Sequence, residues 1–312
     1  MGIHLLQTFI TSLNDRSIKE RHLREFSNKK ITIDISIYLY RFKEMGNLLE
    51  NMYLMCSIFR YYNIHPLFIF DGKHLKNKNQ TIQKRKENRK QAQTTFIELK
   101  RKLHTFTGND RINIEVKMDE LRKQFITVTK DDIKNVKELF ESYGITYITA
   151  THEADELCGA LNKEVHACLT EDTDIMAYGC KRIFRYFSLM KHTVVVYNMD
   201  LILNNLNMTL SDFQELCVCS GNDYISSDKN IFYYYDLYRL YKRTTQTGFL
   251  EWLLQKRYIS LQDYHKRREI YDLYTFKTTD PFKGIRYTLI KNKYIKKDKL
   301  MCVLKKAGFI FP

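Results

Sequence analysis

The sequence predicts an α/β fold: a central, mainly parallel sheet flanked by helices, with a basic helical arch and a helical C-terminal region. Three observations predict it. Short apolar runs end abruptly at acids, the hydrophobic period changes from helix to strand between Thr129 and Ile148, and a long Lys- and Arg-rich stretch has helical spacing without strong apolar stripes.

Lys30-Ile31-Thr32-Ile33-Asp34 and Pro66-Leu67-Phe68-Ile69-Phe70-Asp71-Gly72 each read as a buried strand with a carboxylate at its carboxyl end. After Thr129, the residues Ile133, Val136, Leu139, Phe140 and Tyr143 mark one helix face, Gly144 stops the helix, and Ile145 to Ile148 form the next strand. Strand and helix in alternation imply a parallel sheet covered on both faces. Thr151 is expected to cap a helix whose first turn is Glu153-Ala154-Asp155-Glu156, where the helix dipole favours carboxylates. A strand from Val165 to Leu169 runs into Glu171-Asp172-Thr173-Asp174. The helix before Asp223 is expected to begin in a capping box at Ser211-Asp212-Phe213-Gln214 and to stop at Gly221. From about 73 to 124 the chain reads as a basic helical insertion, and beyond Asp223 it turns tyrosine-rich, basic and helical. The expected organisation is a core over 1–225, with the insertion at about 73–124, and a helical region over 226–312 packed on it.

With 312 residues and 44% hydrophobic content, the chain can bury a sizeable core. Its net charge of +15 favours a polyanionic partner such as nucleic acid. No apolar run approaches the roughly 20 residues that span a bilayer, and no signal-peptide pattern opens the sequence. Leu6 stands where a myristoylation signal wants Ser or Thr. A soluble intracellular protein is expected, in the nucleus or at a cytoplasmic replication site, neither secreted nor bound to membrane. The seven cysteines form no C-x-x-C pair and read as reduced core thiols.

A single strand-end Asp is usually a turn or cap residue. Asp34, Asp71, Glu153, Asp155, Asp172, Asp174 and Asp223 weigh more together, because converging carboxylates raise one another's pKa unless hard cations neutralise them. Open parallel sheets place their sites beyond the carboxyl ends of the strands, where several of these acids fall. Two Mg²⁺ ions about 3.5 to 4 Å apart, with Mn²⁺ as a substitute, suit such a set and serve in-line phosphodiester displacement.

These motifs, in this order, resemble the flap endonucleases and the wider XPG-type family of structure-specific 5′ nucleases. The resemblance runs from Met1-Gly2-Ile3 through Asp34, Phe70-Asp71-Gly72-Lys73, Glu153-Ala154-Asp155 and Thr170-Glu171-Asp172-Thr173-Asp174 to Ser220-Gly221-Asn222-Asp223-Tyr224. It implies a 5′-nuclease/PIN-like core in which those seven acids hold two metal ions directly or through water. Asp155 stands where flap endonucleases usually carry Glu and the exonuclease branch often carries Asp. Lys78 and Arg85 match the family's catalytic cations on the arch, Tyr40 matches an aromatic that stacks on a substrate base, and Gly2 would lie near the active site. Lys84, Arg89, Lys229, Lys242 and Arg243 are expected to contact DNA phosphates without reading sequence. The competing readings are a solvated helix face for the arch cations and core packing for Tyr40.

Two departures from the family stand out. Ser226-Ser227-Asp228-Lys229-Asn230-Ile231 lacks the glycines of the family's helix-two-turn-helix, which puts K⁺ binding in doubt. The terminal Lys305 to Pro312 carries no sliding-clamp peptide, and Gln246 to Leu253 reads as an amphipathic core helix, so a sliding clamp is not supported. The resemblance implies a monomeric enzyme that cleaves DNA 5′ flaps in replication, repair or recombination, leaving 5′-phosphates. A 5′→3′ exonuclease acting on nicks, gaps or free 5′ ends would share every ligand. A noncatalytic junction-binding protein and an RNA-cutting relative of the same core compete with both. Richness in Lys, Asn, Ile and Tyr hints at an AT-rich, viral genome.

Overall fold

The computed structural model describes residues 2–13, 16–72, 79–225, 227–243, 248–277, 280–282, 294–306 and 308–309. In chain order the elements are α1 (Leu6–Ser12), β1 (Ile18–His22), β2 (Lys30–Asp34), α2 (Ser36–Glu44), α3 (Leu48–Tyr61), β3 (His65–Phe70), α4 (Asn79–Lys102), α5 (Gly108–Gln124), α6 (Lys130–Tyr143) and β4 (Thr146–Thr149). There follow α7 (Ala154–Ala160), β5 (Ala167–Leu169), α8 (Asp174–Ala177), β6 (Arg182–Ser188), β7 (Thr193–Asn198), α9 (Met199–Leu206), α10 (Leu210–Cys219), α11 (Ile231–Tyr241), α12 (Phe249–Gln255), α13 (Leu261–Tyr274) and α14 (Lys297–Lys306).

The strands form one mixed sheet in the order β1-β7-β6-β5-β2-β3-β4. Its centre, β6-β5-β2-β3-β4, is parallel, while β7 joins β6 and β1 joins β7 antiparallel. Side chains alternate across the sheet, so the near-continuous apolar runs of β2 and β3 are buried on both faces. Phe68 and Phe70 enter one layer with α2, α3, α6 and α14, and Leu67 and Ile69 enter the other with α1 and α7–α13. The second layer extends without a break into the tyrosine-rich region, where Tyr234, Tyr238, Tyr241, Trp252 and Tyr274 are buried. Six cysteines are buried and Cys302 is exposed, all as free thiols.

Several local expectations hold. Gly144 ends α6 in the left-handed conformation at φ 72°, and Leu250 and Leu253 of α12 are core residues. The described residues of the basic insertion pair as two helices, α4 and α5, with Phe96 edge-on to Phe125 at 5.3 Å.

Three expectations are corrected. β5 begins at Ala167, not Val165. Its partners set that start, because the pairing with β2 opens at Ile31↔Ala167. The box on α10 is Thr209 with Asp212, each side chain bonding the other's backbone N–H. Ser211 instead pairs with the Tyr271 hydroxyl at 2.7 Å, and Gln214 donates to Ala177 O at 2.7 Å. Glu153, not Thr151, occupies the cap position of α7, and its side chain accepts no capping bond. The Ala154 N–H at the start of α7 donates to Asp71 Oδ1 at 2.9 Å, so a strand-end acid distant in sequence serves that helix terminus. Among the described residues no helix is long and apolar enough to cross a membrane.

Candidate active site

The carboxyl ends of β2, β3 and β5 lie side by side, because Asp34 pairs with Ile69 and Ile33 with Leu169. The chain leaves each of these strands at an acid or a few residues before it, at Asp34, Asp71 and Asp172. A continuous row of hydrogen bonds joins them. Asp172 N–H donates to Thr170 Oγ1 (3.1 Å), and Thr170 Oγ1 donates to Asp34 Oδ2 (3.1 Å). Ser36 N–H donates to Asp34 Oδ1 (3.1 Å), and Ser36 Oγ donates to Asp71 Oδ2. Asp71 Oδ1 then receives the Ala154 N–H, which brings the Glu153-Asp155 turn to the same edge.

Backbone geometry holds this row tightly. Gly72 N–H donates to His152 O at 2.7 Å, and a Cβ at Gly72 would collide with Ala150 O and stand 2.7 Å from Thr151 O. Glycine alone fits that approach. On the other side Asp172 Oδ1 accepts Asp174 N–H at 3.1 Å, while Ile3 N–H donates to Thr173 Oγ1 (2.9 Å) and His4 N–H to Gly221 O (2.9 Å). Gly2, at φ 89°, therefore lies over the Asp172–Asp174 turn, and a Cβ there would overlap Asp172 Oδ1 and Thr173 Oγ1. The loop that carries Asp223 approaches through Tyr224, whose hydroxyl donates to Glu153 Oε2 at 3.4 Å.

The electrostatics match the geometry. Burial, followed by the charge of Asp71, pushes Asp34 from its ordinary 3.8 up to about 8, against the opposing Ser36 N–H bond. Burial and then the Asp174 charge push the Tyr274 phenol up, with Asp155 acting on it as well. Burial and then Asp155 do the same to Tyr178. Asp155 and Asp174 thus share a buried aromatic wall.

Asp34, Glu153, Asp155 and Asp174 are buried, Asp172 and Asp223 are half-buried, and Asp71 is exposed. Among the described residues no three acids, His or Cys stand in ready-made ligating geometry. Asp34, Asp71, Asp155 and Asp172 each turn oxygens toward backbone or hydroxyl donors. A carboxylate has about four lone-pair positions, so each retains capacity for a cation after small side-chain turns. An all-oxygen donor set, in which the neighbouring Asp71 charge helps to raise Asp34, fits hard divalent cations.

Sequence reasoning passed over Ser36 and named Thr170 and Tyr224 only as motif members without a role, yet these three carry the hydroxyls of this network. Their signal was adjacency, since each lies within two residues of a strand-end or loop acid. Of the other residues singled out, Tyr40 is 43% exposed on α2, just past Asp34. Arg89 is half-buried on α4. Lys78 lies outside the described residues, as do the side chains of Lys84 and Arg85. Lys229 stacks its ammonium on the Tyr233 ring at 5.3 Å, and Lys242 lies 3.4 Å from Asp212 and over Tyr238. Arg243 is exposed at the end of α11.

A mixed α/β sheet with carboxylates gathered on its carboxyl edge, beside a basic helical pair, defines the class of 5′-nuclease-like folds. The XPG N-terminal domain matches residues 1–92 and the XPG I-region matches residues 144–223, so the chain belongs to the XPG-type 5′-nuclease family. It is 30% identical over 251 residues to flap endonuclease 1 of Drosophila mojavensis, an alignment covering 74% of this chain and 62% of that one. With flap endonuclease 1 of Danio rerio the identity is 30%, over 74% of this chain and 63% of the relative. The chain thus spans less than two thirds of these relatives. The solved catalytic core of Rad2 in complex with DNA substrate shares the fold at TM-score 0.67 and 22% identity, covering 99% of this chain and 95% of that one. Flap endonuclease-1 from Methanococcus jannaschii does so at TM-score 0.62 and 17% identity, covering 98% and 92%. For human GEN1 in complex with Holliday junction DNA the values are 0.66 and 16%, covering 98% and 73%.

Proposed function

We propose that this chain is a structure-specific DNA endonuclease that cleaves 5′ flaps by two-metal phosphodiester hydrolysis in replication, repair or recombination, giving 5′-phosphate products. The observation that carries this reading is the row Asp172-Thr170-Asp34-Ser36-Asp71-Ala154, which lines up acids from three strands on one edge of the sheet. Asp34, Asp71, Glu153, Asp155, Asp172, Asp174 and Asp223 would hold two Mg²⁺ ions, or Mn²⁺ in their place. When bound, such ions activate the attacking water and stabilise the leaving oxygen.

The chain's own residues perform the rest. Ser36 and Thr170 keep the carboxylates of Asp34 and Asp71 oriented, and the N-terminal segment at Gly2 closes one side of the Asp172–Asp174 turn. Tyr40 offers a ring to a base beside the scissile phosphate. Lys78 and Arg85 on the arch offset charge on the phosphoryl oxygens. Lys84, Arg89, Lys229, Lys242 and Arg243 hold the backbone of the duplex or flap, with Lys242 first leaving Asp212. The enzyme acts as a monomer inside the cell, at the nucleus or a cytoplasmic replication site.

The test is cleavage of end-labelled 5′-flap, nicked, gapped, blunt and single-stranded DNA with Mg²⁺, with EDTA, and with Asp174→Ala protein. Release of the intact flap near the junction, lost in EDTA and in the variant while DNA binding persists, is the expected result. Asp174→Ala activity within about tenfold of wild type would sink the metal assignment. Stepwise release of mononucleotides from gaps or ends would favour the 5′→3′ exonuclease, which uses the same acids. Binding without cutting would favour a junction-binding role.

A further inference from the structure

Tyr186 combines features that no packing requirement explains. It sits in the left-handed region at φ 53°, where a residue with a Cβ is strained, and it is 49% exposed. β6 carries an irregularity between Arg185 and Ser188, so Tyr186 is the extra residue that turns outward while Phe187 returns to the core. Bulges of this kind re-aim side chains beside active sites.

Three neighbours hold the turn. Glu171 Oε1 accepts Tyr186 N–H at 2.6 Å, and Glu171 Oε2 lies 3.5 Å from the buried Arg185 Nε. Arg185 also donates to Glu171 O at 2.7 Å and to Gln7 Oε1, and Gln7 donates to Tyr197 OH at 2.5 Å. The Arg185 guanidinium lies 5.2 Å from the Tyr186 ring centroid. Phe184 O accepts Thr170 N–H at 3.1 Å, which sets Tyr186 level with the Glu171-Asp172 turn at the carboxyl edge of the sheet. A strained, exposed aromatic is thus anchored, through the buried Arg185 and the half-buried Glu171, to the residue next to Asp172.

We propose that Tyr186 is a second aromatic platform of the site, on which a base of the DNA strand entering at Asp172 stacks, with Arg185 and Glu171 as its positioning residues. This rests on the nuclease reading above. The guanidinium supports the ring from the protein side and leaves ring surface open to solvent. Stacking on a ring tolerates any base, which suits an enzyme that reads shape over sequence.

The substitution that separates binding from folding is Tyr186→Gly, since glycine accepts φ 53° without strain. Binding of a 5′-flap duplex carrying 2-aminopurine beside the junction is followed in Ca²⁺, alongside cleavage in Mg²⁺ and a thermal melt. The expected outcome is binding weaker by about tenfold, a diminished change in 2-aminopurine fluorescence and a Tm equal to or above wild type. Tyr186→Phe keeps the ring and stays within about twofold of wild type, and so does Tyr61→Ala, which removes an exposed ring at the far end of α3. A glycine variant that binds as wild type overturns the proposal, as does a phenylalanine variant as weak as glycine, or a loss that tracks a fallen Tm. A wild type that cuts none of the five DNAs overturns the nuclease reading instead.

Discussion

Replacing Asp34 by Asn separates the stability of this site from its chemistry. Asp34 is buried beside Asp71 and is raised from 3.8 to about 8. Between those values the folded chain holds a proton that the unfolded chain has released, so stability falls as pH rises through that window and levels off above about 8. One pH unit is worth about 1.36 kcal/mol, so the ceiling on the penalty at pH 7 is about 4 kcal/mol. Part of the push comes from Asp71, and Asn must turn an NH₂ toward Thr170 Oγ1, so the expected gain for Asp34→Asn is nearer about 2 kcal/mol. With an unfolding entropy of about 2.1 cal/mol/K per residue, that is a Tm rise of about 3 °C for this chain. The assay is thermal melting of both proteins in EDTA from pH 5 to 8, repeated with Mg²⁺. In EDTA the wild type should lose Tm with rising pH and the variant should not. On the proposed two-metal reading, Mg²⁺ should raise the wild type more than the variant, because the substitution removes one of the proposed ligands. Equal pH slopes, or a variant that melts lower at pH 8, would refute the reasoning.

Further outcomes follow from the same contacts. Ser36→Ala removes the hydroxyl that donates to Asp71, keeps the backbone bond to Asp34, and should lower kcat about tenfold with KM little changed; an equal rise in KM alone would place Ser36 in substrate binding. Gly72→Ala drives a Cβ into the Ala150 carbonyl and should cost about 3 kcal/mol in a urea melt, with the Asp71 turn displaced and cleavage lost. Thr129→Ala deletes the capping box of α6 and should cost about 1 kcal/mol while cleavage per folded molecule is unchanged, since α6 lies on the sheet face away from α7 and α10.

Much of the architecture was legible in the sequence because its signals are local. Apolar runs that stop at Asp34 and Asp71 identify strands buried on both faces, and the spacing from Ile133 to Tyr143 with Gly144 identifies α6. The antiparallel β1 carried no such signal, because Lys19, Glu20 and Arg21 are exposed and give no alternation. The cap of α7 was misplaced at Thr151 for a related reason. The group that serves its N-terminus is Asp71, and no local motif reports a partner on another strand.

The sequence by itself determined which acids stand at the ends of apolar segments, the basic character of the inserted helices and the family. Side-chain chemistry and period are properties of neighbouring residues and survive without the fold. Only the tertiary structure decided which acids share a hydrogen-bonded row, that Ser36 and Thr170 bridge them, and that Gly2 closes the Asp172 turn. It also decided that Lys242 is held by Asp212 and that Tyr186 is turned outward beside Glu171. Each of these depends on strand register and on a close approach of distant backbone, and burial beside like charge arises only once those segments meet.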